Sequence, residues 1–377
     1  MAECERLEIG MTLSPHQAAF SAIQTPALIV DRAALGANID RMAARARQAG
    51  LALRPHAKTH KSKDIAALQL KAGAIGIACA TIAEAEMLAA AGIPGILITT
   101  SVVGAAKQAR VAKLNREADI AVVVDHIQQV DEVLAALRPG DPPMRLVIDV
   151  DVGHARTGVT DLALGTSLAQ AIAARSELRF AGIQGFAGHA QHIAAAPERK
   201  AAAASAATIL RTFADALTVQ GLKPELVTGS GTGAYNYDLA GPYNELQVGS
   251  YVFMDSDYAR IVDEDGKSPS FAISLFVLAT VVSVNRAGQV SVDAGTKALA
   301  TNGPPPCVII GAPAGSTYRF AGDEHGIITI PAGAPSPSLG ARMLIGATHC
   351  DPTVNLHSSY HVVTEGDVEK WPIVGRY

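Results

Sequence analysis

Residues Ile120–Asp151 read IAVVVDHIQQVDEVLAALRPGDPPMRLVIDVD. An apolar, β-branched run at Ile120–Asp125 leads into an amphipathic stretch, His126–Leu137, which Pro139-Gly140 then stops. A second apolar run, Arg145–Asp151, follows at once. Both runs are nearly continuous rather than alternating, as parallel strands covered by helices on their faces read. The same unit repeats outward. Before it come candidate strands Leu51–Arg54, Ile75–Ala80 and Ile96–Thr100, and after it Phe180–Gln184, Glu225–Thr228 and Leu246–Tyr251. Helical stretches such as Ile82–Ala91 and Ala201–Gln220 lie between them. Strand then helix about eight times over ~200 residues predicts an α/β fold of the (β/α)8 type, a TIM-like barrel. A doubly wound open sheet would usually need fewer strands.

The flanks read differently. Ala27–Val30 is a further strand, one too many for the barrel, and it leads into the helical pattern Arg32–Gln48. From about Ser270 the helical period disappears. Short strands (Leu275–Val284, Val290–Asp293, Ile327–Ile330, Met343–Ile345) alternate with Gly/Pro clusters at Gly303–Pro306 and Pro331–Pro337. This predicts a C-terminal all-β domain with which Ala27–Val30 pairs. The expected division is a barrel over residues 33–263 and a β domain built from residues 1–32 and 264–377.

The composition narrows the function classes. Of 377 residues, 49% are hydrophobic and 18% charged, enough apolar surface for a large core and too much for a disordered chain. The 31 basic and 35 acidic residues give a net charge of −4 with no strongly basic segment, so no nucleic-acid partner is expected. The longest apolar run, near Leu275–Val284, falls short of the ~20 residues of a membrane span. Glu3, Glu5 and Glu8 do not fit a secretory signal. Cys4, Cys79, Cys307 and Cys350 are widely spaced and form no CxxC pair, which reads as reduced thiols of a cytoplasmic protein.

Three stretches could carry chemistry. RPHAKTHK at 54–61 directly follows the first barrel strand, where barrels place their active sites. A lysine among cations is a better nucleophile for an aldehyde, so Lys58 and Lys61 are both Schiff-base candidates; a solvated basic loop is the plain alternative. Thr228–Gly233 follows the seventh strand, where its backbone N–H groups, with Ser230 and Thr232, could converge on a phosphate; Gly249-Ser250 supplies more donors nearby. Read alone, such a turn is only a flexible loop. In His349-Cys350-Asp351-Pro352 the residue before proline is biased to an extended conformation. His349 and Asp351 would then share a face with Cys350 turned away, a set suited to Mn²⁺ or Mg²⁺; a turn capped by His349 is the alternative. His192 and Arg156 lie on loops at the barrel's active face, as a base and a cofactor-ring partner respectively, or as ordinary surface residues. Asp323-Glu324-His325-Gly326 reads equally as a polar turn or a lip of the site.

Together these residues resemble the fold-type III pyridoxal-phosphate enzymes with an alanine racemase-like barrel, and within them the D-threonine aldolase and D-3-hydroxyaspartate aldolase group. The resemblance runs from about Gln24 to the C-terminus. It is carried by Thr25-Pro26, RPHAKTHK, DVDVGHARTGV at 149–159, GSGTG at 229–233 and ELQVGSYVFMDSDY at 245–258. DAGTK at 293–297, DEHG at 323–326 and HCDPTVNLH at 349–357 continue it. The related D-serine dehydratases usually carry His-x-Cys where this chain has His349-x-Asp351.

The resemblance implies that Lys58 carries pyridoxal 5'-phosphate, with His60 and Lys61 lining the same pocket. It implies Arg156 at the pyridine nitrogen and His56, Ser230, Gly231, Thr232, Gly233, Gly249, Ser250 and Tyr251 around the cofactor. His349 and Asp351 would bind a divalent metal, Mn²⁺ or Mg²⁺, and His192 would be the base near a β-hydroxyl. The implied activity is cleavage of small D-β-hydroxy-α-amino acids to glycine and an aldehyde, in a homodimer without membrane partners. A D-serine or 3-hydroxyaspartate dehydratase, and a non-catalytic pyridoxal-phosphate-binding protein, are the alternatives. Two stretches depart from the group's pattern. Phe186-Ala187-Gly188-His189 replaces Tyr-His-Gly-Ser, and Ala80-Thr81-Ile82 replaces Cys-Gln-Lys. Both bear on substrate preference more than on reaction type.

Overall fold

The computed structural model describes residues 20–264, 271–365 and 367–376. The first nineteen residues, with Cys4 and most of the N-terminal segment expected in the β domain, lie outside them. The chain divides into two compact units, one of Arg41–Gly249 with Val374–Tyr377, the other of Met1–Asp40 and Ser250–Ile373.

The first unit holds eight parallel strands in the order β2-β9-β8-β7-β6-β5-β4-β3. They are β2 (Ala52–Leu53), β3 (Ile77–Cys79), β4 (Ile96–Ile98), β5 (Ile120–Val124), β6 (Met144–Asp149), β7 (Leu178–Gly185), β8 (Leu226–Gly229) and β9 (Glu245–Leu246). His56 bridges Ala78 in parallel, and the N–H of Ile75 reaches the carbonyl of Leu53 at 2.9 Å, which joins the two ends of the order into a barrel. β5 is buried along its whole length, as a strand covered on both faces must be. A small separate cluster joins Leu97, Ala121, Val123, Val147 and Ala181 across β4 to β7. The larger apolar core lies between strands and helices and includes Ile98, Val122, Ile148, Leu168, Leu210 and Phe213. Each such side chain contributes about 1.5–3 kcal/mol by leaving water.

The expected last strand, Leu246–Tyr251, is corrected to the two residues of β9. Gly249 interrupts the run, and Ser250–Val252 curls into a 3₁₀ turn instead. The helix Ile82–Ala90 shows what the departure at Ala80-Thr81-Ile82 does locally. Thr81 is its N-cap and forms a reciprocal capping box with Glu84.

In the second unit β1 (Ala27–Asp31) sits inside a nine-stranded sheet, as its reading as a stray strand required. It pairs antiparallel with β10 (Leu275–Arg286) and parallel with β16 (Ser359–Thr364). The sheet also holds β11 (Gln289–Val292), β12 (Cys307–Ile310), β13 (Thr317–Phe320), β14 (Gly326–Thr329), β15 (Arg342–Gly346) and β17 (Asp367–Pro372). Of the DEHG stretch, Asp323, Glu324 and His325 form an exposed bend and the buried Gly326 begins β14; Glu324 pairs with Lys297.

Cysteine usage is also corrected. Cys79 and Cys350 are buried and carry no disulfide, but Cys307 is disulfide-bonded, so cysteine usage does not argue for a reducing compartment. Among the described residues no helix is long and apolar enough to cross a membrane.

Candidate active site

The octet Arg54–Lys61 leaves the end of β2, and the structure gives its cations different tasks. Arg54 is held by Glu245, Nε to Oε2 at 2.9 Å and Nη2 to Oε2 at 2.8 Å, while its Nη1 reaches the carbonyl of Gly95. Lys61 is buried against the carboxylate of Glu84. Lys58 lies half-buried in the 3₁₀ turn Ala57–Thr59, capped by His56. The tautomer of His56 follows from its neighbours. Thr99 Oγ1 donates to the carbonyl of Cys79 (3.1 Å), so at 3.0 Å it accepts from Nε2–H of His56; Nδ1 then accepts the backbone N–H of Lys58 at 3.2 Å. His56 thus fixes the backbone from which Lys58 projects.

The barrel interior beside this turn is polar, which no local spacing in the sequence announces. Gln184 donates to Asp149 Oδ1 (2.9 Å) and to the carbonyl of Thr99 (3.2 Å), and accepts from Gln247 (3.1 Å). Gln247 also donates to Thr228 Oγ1 (3.0 Å), whose own proton goes to Glu245 (2.8 Å). Asp149 accepts a second bond from Thr157 (2.7 Å), and burial pushes its carboxyl above the ordinary range. Satisfied networks of this kind fix one side-chain arrangement.

The turn after β8 is braced rather than loose. Gln191 Oε1 takes the N–H groups of Gly233 (3.0 Å) and Ala234 (3.2 Å), so the Gly233 donor is engaged by the protein itself. A Cβ on Gly233 would stand 1.9 Å from the carbonyl oxygen of Gln191. Ser230 is held at φ +73° beside Asp238, whose carboxyl burial pushes up to about 7. Gly249 passes so near the octet that a Cβ would meet Thr59 Oγ1 at 2.9 Å and the Cβ of His56 at 3.3 Å. Thr59 is fully buried, and its hydroxyl has no hydrogen-bond partner among the described residues. A narrow cradle with an unsatisfied donor is what an oxygen-rich group such as phosphate would complete. Nothing in the sequence singles out Thr59 inside the octet, where its titratable neighbours carry the signal. Thr232 is buried in the same turn, while Ser250 and Tyr251 begin the second unit as buried members of its 3₁₀ turn.

Arg156 is exposed, and its guanidinium lies 5.7 Å from the centre of the Phe186 ring. His154 meets the same ring edge-on (centroids 6.1 Å) and stacks on His189 (6.0 Å). The departure at Phe186 and His189 therefore builds a cluster of rings around Arg156. Burial, then the charge of Arg156, then His189 hold the His154 pKa below the ordinary histidine value. His192 is exposed on the turn that follows Gly188–Ala190. Among the non-glycine residues held at positive φ, Lys61 (+48°), Ala155 (+55°) and Ser230 (+73°) all fall in these loops, the places where local strain tends to mark function.

In the second unit, His349 and Asp351 are both half-buried at the start of the helix Cys350–Asn355. The extended reading of this stretch is corrected: only His349 is extended (φ −142°, ψ 123°), as the residue ahead of the first turn. Pro352 is tolerated because N–H groups in a first helical turn have no partner within the helix. Cys350 is buried, its backbone N–H donated to Asp255 Oδ2 (3.1 Å) and its thiol to the carbonyl of Met254 (3.1 Å). Burial, with Asp257 and Asp351 adding negative charge, pushes Asp255 up to about 7. Among the described residues no group of three or more His, Cys, Asp or Glu side chains could hold a metal. One imidazole and one carboxylate in a negative surrounding still suit a hard divalent cation that keeps water ligands.

The alanine racemase N-terminal domain family matches residues 30–257, and a serine dehydratase domain family matches residues 274–363. A D-threonine aldolase of Arthrobacter sp is 42% identical over 94% of this chain and 93% of its own length. A 3-hydroxy-D-aspartate aldolase of Paracoccus denitrificans (strain Pd 1222) is 38% identical, covering 94% and 93%. The crystal structure of D-threonine aldolase from Filomicrobium marinum superposes with a TM-score of 0.90 at 38% identity, covering 94% of this chain and 96% of that one. The chain belongs to the alanine racemase N-terminal domain family and, within it, to the group that contains the D-threonine and 3-hydroxy-D-aspartate aldolases.

Proposed function

We propose that the protein is a pyridoxal-phosphate- and divalent-metal-dependent aldolase that cleaves D-β-hydroxy-α-amino acids to glycine and an aldehyde. The observation that carries the reaction class is 42% identity to a D-threonine aldolase across nearly the whole of both chains.

Lys58 is the residue that anchors the cofactor. Its rival Lys61 is ion-paired with Glu84, and the backbone of Lys58 is fixed through His56. The partnerless Thr59 hydroxyl beside Gly249 supports phosphate binding at this end of the barrel, with Ser230, Gly231, Thr232 and Gly233 contributing the turn and Ser250 and Tyr251 following Gly249. Arg156 would pair with the cofactor's ring nitrogen. When bound, pyridoxal phosphate supplies the electron sink that cleavage of a Cα–Cβ bond needs. His349 and Asp351 hold Mn²⁺ or Mg²⁺, which supplies Lewis acidity. His192 accepts the proton of the substrate's β-hydroxyl, and its exposed loop leaves it room to reach a bound molecule. The active form is a homodimer.

A product assay tests this reading. D-Threonine, D-phenylserine and D-3-hydroxyaspartate are each incubated with the protein, with and without Mn²⁺, and glycine is measured. Glycine from the D isomers and none from their L counterparts is expected. No glycine from any of the three overturns the proposal.

A further inference from the structure

Several contacts hold the segment carrying Asn302 against the turn carrying His349. The hydroxyl of Thr353 accepts the N–H of Ala300 (3.1 Å) and gives its own proton to the carbonyl of His349 (2.8 Å). Nε2–H of His357 reaches the carbonyl of Ala298 (2.9 Å). Gly303 runs so close to Thr348 that a Cβ would stand 2.8 Å from its hydroxyl. Asn302, although exposed, is thereby carried to 2.8 Å from Nδ1 of His349, with its amide nitrogen facing the ring.

We propose that Asn302 is a positioning residue for the divalent cation, acting by deciding which ring nitrogen of His349 keeps its proton. This rests on the reading of His349 and Asp351 as metal ligands. A neutral imidazole has one N–H and one lone pair, and a side-chain amide has one donating and one accepting end. With the amide nitrogen against Nδ1, that nitrogen accepts and the proton sits on Nε2. A half-turn of the amide brings its oxygen to Nδ1, which then donates, and the lone pair of Nε2 is opened to a cation. One side chain thus converts the ring between a form that cannot ligate through Nε2 and one that can. The bonds from Thr353 and His357 keep it within reach in both.

The test compares wild type, Asn302→Leu and Asn302→Asp. Manganese affinity is read from the electron paramagnetic resonance of free Mn²⁺, and the His349 tautomer from long-range ¹H–¹⁵N spectra of the metal-free protein. Asn302→Leu should weaken Mn²⁺ binding about tenfold. Asn302→Asp offers only acceptors, so it should bind Mn²⁺ at least as tightly as wild type and move the metal-free ring from Nε2–H to Nδ1–H. Equal affinities in all three proteins, or a tautomer unchanged by Asn302→Asp, overturns the proposal. A wild type that binds no Mn²⁺ sinks the metal reading instead, while the tautomer comparison still decides the part played by Asn302.

Discussion

The ammonium of Lys61 is buried against one carboxylate oxygen of Glu84, whose other oxygen accepts the N–H groups of Ala80 (2.7 Å) and Thr81 (3.3 Å). One acidic side chain therefore neutralises the second octet lysine and caps the helix Ile82–Ala90. Stability and cofactor anchoring separate accordingly. Lys58→Ala should abolish the absorbance formed with pyridoxal phosphate and its trapping by borohydride, while Lys61→Ala should keep the chromophore. Glu84→Gln should cost about 3–5 kcal/mol in urea unfolding, because it leaves a buried cation without its counter-charge. Loss of the chromophore in Lys61→Ala but not in Lys58→Ala would reassign the anchoring lysine.

Thr59 offers a test in which stability and binding move apart. Its hydroxyl is buried without a partner among the described residues, so Thr59→Val removes an unsatisfied polar group at almost constant volume. The cofactor-free protein should be unchanged or about 1 kcal/mol more stable. Pyridoxal phosphate should bind more weakly, by about tenfold if the hydroxyl donates to phosphate. Unchanged affinity would place the phosphate elsewhere.

Asp238 gives a pH dependence of known sign. Burial raises its folded pKa to about 7, against an ordinary 3.8. Between roughly pH 4 and 7 the folded chain therefore holds a proton that the unfolded chain has released. Stability from this group falls as pH rises through that window and is flat above it. The loss is at most about 4 kcal/mol, some three pH units at ~1.36 kcal/mol each. Asp238→Asn should remove that slope and be the more stable protein at pH 8. Parallel wild-type and variant profiles between pH 5 and 8 would contradict it.

Two protein ligands make an open, weak metal site rather than one that holds the fold together. Chelation should remove activity while leaving thermal unfolding and the cofactor absorbance intact, and Mn²⁺ should restore turnover. Asp351→Ala should resemble the chelated protein and resist rescue. Cys350→Ser should keep its metal, since the thiol is engaged with the carbonyl of Met254. Retained metal in Asp351→Ala together with its loss in Cys350→Ser would exclude the His-x-Asp pair.

Much of the architecture was legible because buried parallel strands leave a local signal. The run Ile120–Asp125 needs no partner to be recognised, and counting strands in the barrel leaves Ala27–Val30 to the β sheet. β17 was not legible: Asp367–Pro372 is mostly polar and exposed, and its pairing with β16 carries it. The site divides the same way. A contact within one loop, such as Nδ1 of His56 with the N–H of Lys58, joins residues that are close together in the sequence. Contacts across long sequence separations leave no local signal: Lys61 with Glu84, Gln184 with Gln247, and Asn302 with His349 are joined only by the fold. The proline after Asp351 biases that residue to an extended conformation, whereas proline also fits a first helical turn, and the helix prevails.

The reaction itself is tested most directly with D-threonine carrying deuterium at Cα, followed at low conversion by mass spectrometry. Cleavage between Cα and Cβ never breaks the Cα–deuterium bond. The account predicts glycine that retains the label, in equal amount to acetaldehyde. Formation of 2-oxobutanoate and ammonia, with the deuterium released to water, would contradict it and identify a dehydratase.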